Sequence, residues 1–453
     1  ERNLIDAIWE DRPDPVGEKI AVYPVEFAGE THEEKLVRIA EILTEAGEGC
    51  AVLTLPDSIA WLLNIRGEDI PHNPTPQVFA IVHGDGTCDL FTAPGAASDI
   101  AGHLGDKVRL HDKSGFAAEL DALTGRVRVD PKTAPFAIPA ILEERATVSE
   151  GRDPCILPKA CKNPTEIAAT TEAHLRDGAA MVEFLAWLDA TAPKGGLTEI
   201  DVVRKLEGFR RATNALRDIS FDTICGSGPN GAIIHYRVTE GTNRDIVPGE
   251  LLLVDSGGQY IDGTTDITRT VAVGAPGNEE RACFTRVLQG MIAISRVRWP
   301  RGLTGRDLDP LARAPLWMAG QDYDHGTGHG VGVYLNVHEG PQRIARISEE
   351  PLKPGMILSN EPGYYREGAF GIRIENLIVV QDAPEIGGGD GRDQLAFETL
   401  TFVPIDLALV DTALLSVGER DWLNAYHAEV CDKIAPRVSE ATRDWLKQAT
   451  RAI

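Results

Sequence analysis

Hydrophobic positions first recur at helical spacing after residue 31. Leu36, Ile39, Ile42 and Leu43 fall on one face, and Gly47 is placed to stop the helix. Thr31-His32-Glu33-Glu34 just ahead of them reads as a capping box, in which Thr31 and Glu34 satisfy each other's orphan amides. The pattern then predicts a strand over 50–55 and a helix over 58–64. Apolar runs at 77–82 and 88–92 flank His83-Gly84-Asp85-Gly86-Thr87, a hairpin signal. Together these elements predict a small α/β domain.

Between 143 and 163 the periodicity gives way to Gly, Pro and charge, including Gly151-Arg152-Asp153-Pro154. The expected domains are therefore 1–158 and 159–453. The second opens on Asn163-Pro164-Thr165-Glu166, where Asn163 can cap, Pro164 suits the first helical position and Glu166 sits three residues on. Ile167, Leu175, Val182 and Leu185 then mark one helical face. From here the layout repeats without any letter-by-letter repeat. Helical segments at 165–190 and 198–215 precede strands at 250–257 and 265–273. Helical segments at 278–296 and 306–319 precede strands at 355–361 and 371–380. That order predicts an α+β fold, with two α/β halves packed about a mixed or antiparallel sheet. The tail from 413 to 453 reads helical, with Trp422, Leu423, Tyr426 and Trp445 available for burial.

Composition narrows the chemistry. The 453 residues carry 69 acidic and 45 basic side chains, a formal charge of −24. Such a field repels phosphate backbones and anionic lipid heads, so nucleic acid and membrane surfaces are excluded as partners. No apolar run approaches the ~18 residues of a spanning helix. The 7 cysteines are dispersed and odd in number, with no C-x-x-C pair, which fits reduced thiols and a cytoplasmic setting. The chain starts at Glu1 rather than Met, so it is expected to be trimmed or processed there.

Four acids are placed unlike the rest. Leu251-Leu252-Leu253-Val254-Asp255 leads through a glycine-containing turn to Asp266-Ile267-Thr268, a hairpin pattern. A turn centred between Tyr260 and Ile261 sets Asp255 opposite Asp266, on one face with Cβ atoms ~5 Å apart. The device recurs where Ile357-Leu358-Ser359-Asn360-Glu361 leads to Ile372-Arg373-Ile374-Glu375. A turn centred on Gly368 faces Glu361 to Glu375, and strict alternation puts Arg373 on the face of Glu375 with the isoleucines opposite. One such hairpin is ordinarily solvated surface. Two of matching design among apolar strands are not, because facing carboxylates resist joint ionisation unless a cation lies between them.

The histidines add to this. His235, His325, His329 and His338 lie close in sequence to the acids, and His325-Gly326-Thr327-Gly328-His329-Gly330-Val331-Gly332 has four glycines that let the backbone approach something closely. A P-loop is excluded because no Lys-Ser/Thr pair follows, and the G-x-G-x-x-G order of a dinucleotide site is missing. Two aspartates, two glutamates and one histidine make an oxygen-rich donor set, which favours manganese, with cobalt or zinc under exchange. Two divalent ions neutralise the four carboxylates and generate a nucleophile from water near neutral pH.

These motifs resemble the aminopeptidase P and prolidase family of metallopeptidases, and within it the cytosolic three-domain Xaa-Pro aminopeptidases. The resembling runs are Asp57-Ser-Ile-Ala-Trp-Leu-Leu-Asn64, Pro229-Asn-Gly-Ala-Ile-Ile-His-Tyr236, Asp255-Ser-Gly-Gly-Gln-Tyr260 and Thr264-Thr-Asp-Ile-Thr-Arg-Thr270. They continue with His325-Gly-Thr-Gly-His-Gly-Val-Gly332, Asn336-Val-His-Glu-Gly-Pro341, Glu361-Pro-Gly-Tyr-Tyr365 and Gly368-Ala-Phe-Gly-Ile-Arg-Ile-Glu-Asn376. The likeness extends from Asn3-Leu-Ile-Asp-Ala-Ile-Trp9 to Trp422-Leu-Asn-Ala-Tyr-His427.

The resemblance implies a creatinase N-terminal-like domain followed by a pseudo-twofold "pita-bread" catalytic domain. It implies that Asp255, Asp266, His329, Glu361 and Glu375 hold two metal ions, Asp266 and Glu375 bridging. His235 and His338 would hold the substrate carbonyl and stabilise the tetrahedral intermediate, while Glu361 carries a proton to the leaving nitrogen. His325 would line the substrate cleft, and Arg373 would steady the cluster. The substrate amino group would sit against one metal and Asp266, giving cleavage after the first residue of peptides with proline second. A homodimer is the family expectation. Three-domain members carry a further domain ahead of the Asn-Leu-Ile-Asp segment, and it is expected to be absent here. The rivals are a prolidase confined to Xaa-Pro dipeptides, a metal-free scaffold or binding module on the same fold, and a creatinase-like hydrolase without metal.

Overall fold

The computed structural model describes residues 4–13 and 16–453, the side chain of Asp6 excepted. Asn3 of the N-terminal resembling run and the Glu1 start lie outside the described residues. The chain divides into two compact units, Glu1–Ile156 and Leu157–Ile453.

In the first unit the capping box forms: Thr31 Oγ1 accepts from the Glu34 amide, Glu34 accepts from the Thr31 amide, and the helix His32–Glu45 follows. Its Leu36, Ile39 and Leu43 are buried. Strand Cys50–Leu53 and helix Pro56–Leu63 come next, and the strands Phe79–His83 and Cys88–Thr92 pair antiparallel as the hairpin signal predicts. Six strands form one mixed sheet in the order Val108–Asp112, Cys88–Thr92, Phe79–His83, Cys50–Leu53, Gly125–Val129, Ala146–Glu150. Val52, Ile81, Phe91 and Val127 of the sheet pack with Phe116, Leu120 and Leu142 from two short helices.

The second unit carries the predicted repeat of layout. Helix Pro164–Thr191, capped by Asn163 with Pro164 at its first position, and helix Glu199–Arg211 precede three antiparallel strands: Ile224–Ser227, Leu251–Ser256 and Ile267–Ala272. Helices Asn278–Arg296 and Gly305–Trp317 precede the antiparallel run Gly328–Gly330, Ile357–Asn360 and Asn376–Asp382. The same order and pairing in each half gives the pseudo-twofold α+β architecture. The stretch 371–380, expected as one strand, is two: Phe370–Arg373 pairs with Gly363–Arg366, and Asn376–Asp382 joins a different sheet. The break falls at Ile374-Glu375, where the chain passes between sheets.

The tail forms helices Val417–Ile434 and Glu440–Ala449, which bury Leu423 and Tyr426 and half-bury Trp422 and Trp445 in the core of this unit. Tyr426 also reaches Arg269, a fully buried arginine that donates to the carbonyls of Thr268, Glu375, Val403 and Pro404. One guanidinium thereby ties both halves and the tail at the point where the acids gather. Among the described residues no helix is long and apolar enough to cross a membrane.

Candidate metal centre

The first hairpin differs from expectation by two residues. Asp255 lies opposite Thr268, not Asp266, because Tyr260 pairs with Gly263 and the turn is made by Ile261 and Asp262. Asp262 is held there by a two-pronged bond from Arg176, at 2.9 and 2.8 Å. A shift of two keeps side-chain parity, so both acids still share a face as diagonal neighbours. Both are buried and line one cavity.

The second hairpin has the expected register. Asn360 pairs with Asn376 on one side of the acids and Gly363 with Arg373 on the other, which sets Glu361 opposite Glu375 about a turn centred on Gly368. It docks on the first hairpin through backbone and hydroxyl bonds: the Glu375 amide donates to the Thr268 carbonyl at 3.1 Å, and Thr270 Oγ1 donates to the Arg373 carbonyl at 3.0 Å. Gly371 crosses the loop before His235 so closely that a Cβ there would lie 1.6 Å from the Gly231 carbonyl oxygen.

His329 reaches the acids from the strand Gly328–Gly330. Its amide donates to Ser359 Oγ at 2.9 Å, and that hydroxyl donates to Glu361 Oε1 at 2.9 Å. A Cβ on Gly328 would stand 1.9 Å from the Ser359 carbonyl oxygen, so only glycine allows the ligand strand this close. His329 Nδ1 lies 2.9 Å from the Gly330 carbonyl, which calls for a proton on that nitrogen and leaves Nε2 as the lone pair. Nε2 is 3.4 Å from both Asp266 Oδ2 and Glu361 Oε1. One ligand atom each from Asp266, His329 and Glu375 lie within 4.8 Å of one another.

The electrostatics disfavour joint ionisation of these acids. Burial, then Asp255 and Glu361, push the Asp266 pKa well above its ordinary value. Glu375 is raised strongly by burial and by Asp266 and Glu361, and Glu361 is raised by burial with Asp255 adding. Asp255 Oδ1 and Glu375 Oε1 are buried with no hydrogen-bond partner among the described residues, although the other oxygen of each is bonded, to Arg373 and Thr268. Buried oxygens left open among crowded carboxylates, with one imidazole lone pair and no thiolate, fit hard divalent ions.

A cavity of about 690 Å³ opens over the acids. His235 is exposed on its lining, whereas His338 stands edge-on to His329 with ring centroids 4.3 Å apart. Burial, with His329 beside it, pushes the His338 pKa down to about 4. His325 is pushed down to about 3 by burial and Arg373, and its Nε2 lies 2.9 Å from Tyr365 Oη. Arg373 donates to Tyr365 Oη and to Asp255 Oδ2, each at 2.6 Å. All nine residues expected at the site therefore lie on this one cavity. Sequence reasoning assigned no part to Tyr365, Ser359 or Thr268. The available signal for Tyr365 was its register, diagonal to Arg373 on the same hairpin face. Phe221, Ile224, Ile234 and Ile347 give the cavity an apolar side that no motif announced.

The profile of metallopeptidase family M24 matches residues 168–382, that of the creatinase/prolidase N-terminal domain 11–166, and that of the C-terminal region of peptidase M24 393–453. Aminopeptidase P2 of Arabidopsis thaliana is 42% identical over the whole chain, which covers 69% of that protein. A probable Xaa-Pro aminopeptidase P of Paracoccidioides brasiliensis is 41% identical over the whole chain and 77% of its own length. Among solved structures, an X-prolyl aminopeptidase from Caenorhabditis elegans, described as a cytosolic enzyme with a di-nuclear active site, superposes with a TM-score of 0.93 at 36% identity, over 100% of this chain and 76% of that one. An Xaa-Pro dipeptidase from Bacillus anthracis superposes at 0.67 with 25% identity, over 83% of this chain and 99% of that one.

Proposed function

The chain belongs to metallopeptidase family M24, and from that premise we propose that it is an Xaa-Pro aminopeptidase, a metal-dependent hydrolase that releases the first residue of peptides with proline second. What carries this reading is identity over the whole chain of 42% to an aminopeptidase P2 and 41% to a probable Xaa-Pro aminopeptidase P. Two divalent ions are proposed, manganese in the first place and zinc or cobalt as replacements. Asp255, Asp266, His329, Glu361 and Glu375 would hold them. Such a pair, when bound, activates water near neutral pH and polarises the scissile carbonyl.

The remaining work falls to side chains. A proline nitrogen leaves as an amine only once protonated, and its tertiary amide has no N–H for a peptidase to grip. Glu361, whose Oε1 accepts the Ser359 hydroxyl at 2.9 Å, is the proposed carrier: it would take the proton that the attacking water loses and pass it to the leaving nitrogen. His338, kept neutral by burial, retains a ring N–H to donate to the carbonyl oxygen, with His235 donating from the exposed rim. Asp266 would receive the substrate's free amino group, which restricts cleavage to the first peptide bond. His325, fixed by Tyr365, lines the cleft, and Arg373 holds Asp255 in place. A cytoplasmic location and a homodimer complete the reading. The first is supported by the cytosolic description of the nematode enzyme, and the second is tested by light scattering.

The test is turnover of an Xaa-Pro dipeptide against an Xaa-Pro-Pro tripeptide, with and without manganese. Faster manganese-dependent cleavage of the tripeptide is expected. Activity on the dipeptide alone would make the protein a prolidase, and less than one transition metal per chain after manganese loading would favour a metal-free module.

A further inference from the structure

Two buried clusters, one in each half of the catalytic unit, share an unusual composition. In the first half Arg210 grips Asp177, Nε to Oδ1 at 2.7 Å and Nη2 to Oδ2 at 3.0 Å. Tyr260 Oη donates to Asp177 Oδ1 at 2.6 Å, and Thr265 Oγ1 to Oδ2 at 2.9 Å. In the second half Arg313 Nε donates to Asp309 Oδ2 at 2.7 Å, Thr327 Oγ1 to Asp309 Oδ1 at 2.6 Å, and Tyr323 Oη meets Thr327 Oγ1 at 2.5 Å. The quartets are Arg–Asp–Thr–Tyr in both cases, and no member is more than 2% exposed.

Their construction is not copied from half to half. Asp177 and Arg210 come from two helices, whereas Asp309 and Arg313 lie one turn apart on a single helix. What the quartets share is where they attach. Arg210 Nη2 reaches the carbonyl of Ser256, next to Asp255, and Thr265 is next to Asp266. Arg313 Nη2 reaches the carbonyl of His325 at 2.7 Å, while Thr327 sits two residues before His329 and accepts the Glu361 amide at 2.8 Å. Each threonine hydroxyl thus joins a buried ion pair to backbone that carries candidate metal ligands, and neither quartet is bonded to the ligand carboxylates.

Burying an ion pair carries a desolvation cost that mutual attraction offsets only with excellent geometry and further hydrogen bonds. Beside them four carboxylates converge on one cavity and repel one another. We infer that the two quartets are positioning devices that hold the ligand-bearing loops at ion-binding separation before any ion is present. Asp177 and Arg210 set the Asp255–Asp266 hairpin from one side, and Asp309 and Arg313 set His329 and Glu361 from the other. This rests on reading the five residues as a metal centre.

The experiment is calorimetric titration of metal-stripped protein with manganese, with thermal melting of the same apoproteins alongside. Thr265→Val and Thr327→Val keep side-chain shape and delete the hydroxyl; each should weaken manganese binding by about 10-fold. Thr265→Ser and Thr327→Ser keep the hydroxyl and should bind within about twofold of wild type. Valine variants that bind manganese like wild type overturn the inference, as do serine variants that lose as much as valine, since packing would then be the cause. Should a valine variant not fold, Tyr260→Phe and Tyr323→Phe carry the test, and unchanged affinity in both overturns it. A wild-type chain that binds no manganese would sink the metal centre itself, and this inference with it.

Discussion

Arg373 meets Asp255 at 2.6 Å, Nη2 to Oδ2, with the two side chains only 2% and 10% exposed. The same guanidinium spends Nη1 on Tyr365 and Nε on Thr268, so three directions of one rigid fork are in use. Arg373→Met should destabilise the apoprotein by about 3–5 kcal/mol, since it strands a buried carboxylate. Arg373→Lys should recover little, because an ammonium cannot reproduce the fork. Denaturant melts of the two variants check both statements.

Glu361→Gln should abolish turnover. The substitution is nearly isosteric but removes a ligand charge and the group proposed to carry the proton. Single-turnover assays with manganese at saturation separate loss of chemistry from loss of metal, and near-normal kcat would contradict the assignment.

His338→Ala should lower kcat by about 10² to 10³, the size of one deleted transition-state donor. A rise in KM with kcat unchanged would instead make His338 a binding residue.

Chelation should lower the Tm. It leaves Asp266, Glu361 and Glu375 converging in burial, where each resists ionisation. Returning manganese should raise the Tm with its concentration, worth about 2.7 kcal/mol at 100 times the Kd if the unfolded chain binds none. A Tm indifferent to manganese would contradict a site formed only by the fold.

His427 gives a pH signature away from the cavity. Its Nε2 accepts the Ile405 amide at 3.1 Å, and burial, with Arg269 nearby, pushes its pKa down to about 3. The unfolded chain binds this proton near pH 6.5 and the folded one does not. Its contribution is therefore fully present above about pH 6.5 and is lost as pH falls toward 3. His427→Gln should flatten the stability-against-pH slope across that window, as read by urea melts.

Local signals served the sequence reading well wherever the chain itself dictates the geometry. Thr31 and Glu34 cap each other because the partners are three residues apart, and the hairpin about Gly368 has its expected register because flanking residues on both sides pair alike. The hairpin about Asp262 does not, since its turn is fixed by Arg176, 86 residues away. Nothing in Asp255–Asp266 spacing alone separates a turn at 260–261 from one at 261–262. The same limit hid Tyr365 and Ser359: each acts on partners from another strand, and a single polar residue in an apolar run carries no sign of which group it will meet. Both arginine quartets were equally invisible, as their members are drawn from residues 177 to 327.

The raised pKa values of the crowded acids have a consequence for how the site fills. Carboxyls that resist ionisation retain protons at pH values where free ones have lost them. Loading of the proposed centre would then be an exchange in which cations enter and protons leave to solvent. Manganese titration in weak buffer should therefore release protons, and apparent affinity should rise with pH.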